Sequence, residues 1–75
     1  MNEYHKYLSL NPDIRFGKPC IVGTRIAVSD ILKWLASGMT TEEILTDFPE
    51  LKKEHIFAAL HFAAYREEIT KFIAA

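Results

Sequence analysis

Gly17-Lys18-Pro19-Cys20-Ile21-Val22-Gly23-Thr24-Arg25-Ile26-Ala27-Val28 is the stretch that divides this chain into two kinds of structure. Its apolar residues Ile21, Val22, Ile26 and Val28 are β-branched, which suits a pleated, half-buried surface. Gly17 and Gly23 stand where a positive φ or a close backbone approach is expected. Before this stretch the chain reads as extended, and from Ser29 onward it reads as helical.

On the N-terminal side, Tyr4 to Leu10 alternates loosely and reads as a strand. Asn11-Pro12-Asp13 is turn chemistry, and Arg15 to Pro19 forms a second turn. Cys20 to Gly23 reads as a short strand. Ile26 to Val28 is either another strand or the lead into a helix.

On the C-terminal side, Ser29 is the expected N-cap of a first helix, and Asp30 complements its dipole. Ile31, Leu32, Trp34 and Leu35 supply the apolar face, and Gly38 closes the helix in a left-handed conformation. Thr40 and Glu43 have capping-box spacing ahead of Ile44, Leu45 and Phe48. Pro49 ends this second helix. A third runs from about Lys53 to at least Tyr65. Residues 66–75 either extend it along Tyr65, Ile69, Phe72 and Ile73 or form a tail. The expected fold is mainly α. It is a three-helix helix-turn-helix bundle, homeodomain- or winged-helix-like, over 29–65, with a β-rich segment over 1–28, all in one domain.

The chain has 75 residues, a net charge of −1, one cysteine and 49% hydrophobic residues. A core of this size rarely supplies more than roughly 3–5 kcal/mol without a staple. Cys20 alone forms no internal disulfide, so association is the expected staple. No secretory signal and no run of about 20 apolar residues is present, so a soluble cytoplasmic protein is expected. The span Ile56 to Tyr65 is apolar nearly all round, and such a helix needs cover on more than one side. Phe57, His61, Phe62, Tyr65, Ile69 and Phe72 are the candidate interface, with a homodimer or a tight partner as the cover.

Catalytic chemistry is not expected. His5, His55 and His61 are scattered, and the paired ligand spacings of zinc sites are absent. Cys20 reads as an inert core thiol. No Gly-rich phosphate loop occurs. No enzyme activity, cofactor or metal is therefore assigned.

A second candidate site lies at the start of the third helix, where a helix-turn-helix presents residues to base edges. Lys52, Lys53 and His55 stand there, and the two lysines oppose the macrodipole without a Ser, Thr or Asp cap. A nucleic-acid phosphate or base would supply the missing negative charge; otherwise the pair is a solvated surface pair beside Glu50 or Glu54. Arg25, at the strand-to-helix corner, either clamps a phosphate or ties the corner by bonding carbonyls or an acidic side chain. Lys18 and Arg15 are candidate flanking phosphate contacts.

The pattern Gly17-x-Pro19-x-Ile21-x-Gly23-Thr24-Arg25-Ile26-x-Val28, with Gly38-Met39-Thr40-Thr41-Glu42-Glu43-Ile44 and Phe48-Pro49-Glu50-Leu51, resembles the DUF433 family over roughly Tyr4 to Tyr65. The resemblance implies a small helix-turn-helix domain with a short N-terminal β-element. It also implies a VapB-type antitoxin that binds DNA at its own operator and neutralises a PIN-like ribonuclease toxin. The chain departs from the family pattern at Lys52, where relatives often carry a capping Thr or Ser. The leading expectation is therefore an antitoxin-like DNA-binding protein. The alternative is a protein-interaction module that uses the apolar third helix and binds no DNA.

Overall fold

The computed structural model describes the backbone of residues 3–74 and the side chains of residues 4–68. A 3-10 helix over Glu3–Tyr7 leads into strand β1, Leu8–Ser9, and a second 3-10 turn spans Arg15–Gly17. Strand β2, Cys20–Ile21, is followed by α1 (Val28–Ala36), α2 (Thr41–Asp47) and α3 (Lys53–Ala74). This is the expected three-helix fold with a short antiparallel β-element at its N-terminus.

The β-element is smaller than the sequence suggests. Leu8 pairs with Ile21 and Ser9 with Cys20, and a single further bridge joins Cys20 to Ala27. β2 thus lies between β1 and the lead into α1. Its return turn is stapled by Thr24, whose hydroxyl donates to the Ile21 carbonyl at 2.9 Å and accepts the Ile26 N–H at 2.9 Å. Gly23 takes φ +80° in that turn, a conformation that costs a side chain with a Cβ about 1–2 kcal/mol.

Tyr4 to Tyr7 is 3-10 helix rather than strand. Residues three apart eclipse on a 3-10 helix. Tyr4 and Tyr7 both therefore reach α3: the Tyr4 ring stacks on His61 at 4.3 Å, and Tyr7 meets His55 edge-on at 5.4 Å. The i, i+3 spacing of the tyrosines was the legible signal, and loose alternation masked it.

The N-cap of α1 lies two residues earlier than expected. Ala27, not Ser29, is the N-cap, and Asp30 accepts the Ala27 N–H at 3.0 Å. Its C-terminus closes on Gly38, with φ +103°. The Gly38 N–H donates to Leu35 and the Met39 N–H to Trp34, at 3.0 and 3.1 Å, which is a complete Schellman closure. The α2 capping box follows at once: Thr40 N–H donates to Glu43 Oε1 at 2.8 Å, and Glu43 N–H donates to Thr40 Oγ1 at 3.1 Å.

Ile21, Val28, Ile31, Ile44, Leu51, Ile56 and Ala59 form the core, one or more from each element that frames it. Trp34 of α1 stacks on Phe48 at the end of α2, with centroids 4.2 Å apart. Cys20, next to Ile21 on β2, is also buried. No helix among the described residues is long and apolar enough to cross a membrane.

Candidate interaction surface on the third helix

α3 takes its register from Ile56 and Ala59, which point into the core. At 3.6 residues per turn the side about 110° round from that one carries Lys53, Phe57, Leu60, Ala64 and Glu68, with His61 on its far flank. All six are exposed. Phe57 and Leu60 each keep 44% of their surface in solvent, and Tyr65, farther round the helix, keeps 54%. This exposed side of α3 is an apolar stripe with one lysine and one glutamate at its ends.

Of the proposed interface residues, Phe57, His61 and Tyr65 lie on solvent-facing sides of α3, and His61 is braced by Tyr4. Phe62 is half-buried against the core, with the Arg66 guanidinium 5.6 Å above its ring. The α3 backbone continues through Ile69 and Phe72, whose side chains lie outside those described. Leu60 was missed in the sequence reading. Its spacing of three from Phe57 and four from Ala64 was the available signal.

The proposed nucleic-acid contacts do not converge. Lys52 and Lys53 are exposed at the start of α3. Lys18 lines a groove of about 490 Å³ with Lys33 and Arg66, between α1 and the Phe62–Arg66 turn of α3. By helical rise that turn is roughly 14–20 Å from Lys53. The Arg15 guanidinium donates to the Arg25 carbonyl at 2.7 Å and to Asp30 Oδ2 at 3.0 Å. It therefore performs the corner tie considered for Arg25, while Arg25 is exposed. α2, which in this motif crosses the phosphate backbone, carries Glu42, Glu43 and Asp47 and no cation. From Thr40 to Phe57 five carboxylates stand against Lys52 and Lys53.

His55 supplies the cap that Lys52 lacks. Its Nδ1 accepts the Lys52 N–H at 2.9 Å, which requires that nitrogen to be unprotonated. Burial pushes the His55 pKa down. The Glu54 charge opposes this, the Lys52 charge adds to it, and the net shift is downward. Asp30 is also shifted. Burial raises its pKa, but the Arg15 hydrogen bond, the Ala27 amide and the charges of Arg15 and Lys18 outweigh burial and hold it low. Among the described residues no group of three or more His, Cys, Asp or Glu side chains is placed to hold a metal ion.

Comparison with known proteins bears on the fold and the family. A solved structure, the crystal structure of a DUF433 member protein from Anabaena variabilis ATCC 29413, is similar to this chain with a TM-score of 0.77 and 28% identity. The match covers 92% of this chain and 69% of that one. No curated protein matches. The family model for DUF433, described as a protein of unknown function, matches residues 8–63, including the β-element, both helix caps and most of the α3 stripe. This chain therefore belongs to the DUF433 family.

Proposed function

We propose that this chain is an antitoxin-like protein-interaction module that works through the outward side of α3 and does not read DNA with it. The observation that carries this reading is the exposure of Phe57 and Leu60 where a reading helix presents polar and basic side chains. The carboxylates of α2 support it, because they would face the phosphates of a docked duplex and repel them. The family resemblance supplies a PIN-like ribonuclease toxin as the candidate hetero-partner, tested by co-purification with the product of the neighbouring gene.

A second reading, an antitoxin-like repressor that binds its own operator, is favoured by the exposed Lys52–Lys53 pair at the start of α3. Fluorescence anisotropy separates the two. The purified protein is titrated with a duplex from upstream of its own gene and with a scrambled duplex, at low and moderate salt. Weak binding without preference is the result expected. Tight binding to the first duplex that falls steeply with salt, and that Lys52→Ala with Lys53→Ala abolishes, would establish the repressor instead.

A further inference from the structure

We infer that the surface covering the α3 stripe is the same stripe of a second copy of this chain, with the two helices antiparallel across a two-fold axis between Leu60 and His61. This rests on the protein-interaction reading and gives this side of α3 to a second copy, so that a toxin partner would engage the dimer on another surface.

The stripe is self-complementary when reversed. Lys53 and Glu68 lie at equal distances on either side of the midpoint between residues 60 and 61, and so do Phe57 and Ala64. An isologous two-fold contact brings each residue onto the partner's symmetry-related position. Phe57 then packs over the partner's Ala64, a large side chain against a small one, which lets two helices approach closely. Leu60, beside the axis, meets the partner's Leu60. Lys53 meets the partner's Glu68 at both ends of the contact, about 11 Å from the axis by helical rise. A parallel pairing would instead set Phe57 on Phe57, Lys53 on Lys53 and Glu68 on Glu68. Glu54 and Glu67 are also related by the midpoint, but they sit on opposite flanks of the stripe, so these carboxylates do not meet. Antiparallel helices also align their macrodipoles favourably. The exposed fractions of Phe57 and Leu60 are the apolar area this contact removes from water.

The test is the solution mass of the full chain by sedimentation, at concentrations spanning the micromolar range, with far-UV circular dichroism checking the fold of each variant. A species of twice the 8.6 kDa chain mass is expected. Leu60→Glu should give a folded monomer. Lys53→Glu and Glu68→Lys should each weaken the dimer by roughly tenfold, since each turns two attractions into two repulsions. The double variant should restore it, a rescue that parallel pairing cannot give. A monomeric wild type overturns the inference, as does a dimer indifferent to Leu60→Glu and to the charge exchange. A monomer that ignores its upstream duplex removes only this partner. A monomer that binds that duplex specifically removes the interaction reading as well.

Discussion

Arg15 and Asp30, fifteen residues apart, meet at 3.0 Å, and the same guanidinium nitrogen holds the Arg25 carbonyl at 2.7 Å. This pair, the one ion pair among the described residues, joins the loop before β2 to the first turn of α1. Asp30 also accepts the Ala27 N–H, so one carboxylate serves both the tie and the helix cap.

Replacing Asp30 by Ala should destabilise the fold by about 1 kcal/mol, the usual cost of losing a helix-terminal cap. Because the Asp30 pKa is held low in the fold, its contribution is fully present above the unfolded carboxylate value and is lost as pH falls through the folded one. Urea unfolding of wild type and Asp30→Ala should therefore differ at neutral pH and converge in acid. A constant difference down to the lowest pH would remove the carboxylate charge from this account.

His55 carries a second pH dependence of the same sign. Its folded pKa lies below the ordinary histidine value of about 6.5. The neutral ring that caps α3 is thus favoured by folding. Stability from this group is fully present above that value and declines as pH falls through the folded pKa. Wild type should lose stability more steeply than His55→Ala as pH falls below about 6.5, as read by thermal melts on either side of that value. Parallel curves would show that the Lys52 amide does not depend on the ring.

Phe16 is fully exposed and left-handed, at φ +59°, next to Arg15 at φ +52° and Gly17 at φ +82°. It makes no burial gain to offset a conformation that disfavours most side chains. Phe16→Asn should raise stability by roughly 1 kcal/mol, since Asn tolerates that region. A denaturant midpoint that falls instead would mean the aromatic ring contacts something in solution.

Local chemistry was legible in the sequence, and long-range chemistry was not. Thr40 with Glu43, Gly38 and Pro49 set helix ends through bonds spanning a few residues, so spacing alone found them. The sequence offers Arg25, the nearest arginine, either as a phosphate clamp or as the tie at the α1 corner. Arg15 makes it because the turn before β2 folds back over the corner, which no local pattern encodes. His55 was read as a possible base contact. Its bond to the Lys52 amide spans only three residues, but a histidine stands there in place of the Glu or Gln of a capping box, so the spacing did not mark it. The sequence reads α3 as apolar nearly all round. Which part the N-terminal 3-10 helix covers, and which part remains bare, depends on where Tyr4 and Tyr7 land.

The Gly38-Met39-Thr40 elbow between α1 and α2 bears on the order of folding events. Its bonds close loops of only three to five residues, so forming it demands little chain entropy. The β1–β2 ladder and the Arg15–Asp30 tie must close loops of eleven to fifteen residues. Non-local contacts of that kind are the slow part of assembling a small domain. The elbow is therefore expected to stand in the transition state, with the N-terminal segment docking afterwards. Thr40→Ala should slow refolding with little change in the unfolding rate, whereas Asp30→Ala should chiefly speed unfolding. Stopped-flow kinetics on the two variants reads that order directly, and the reverse assignment of rates would place nucleation at the β-element.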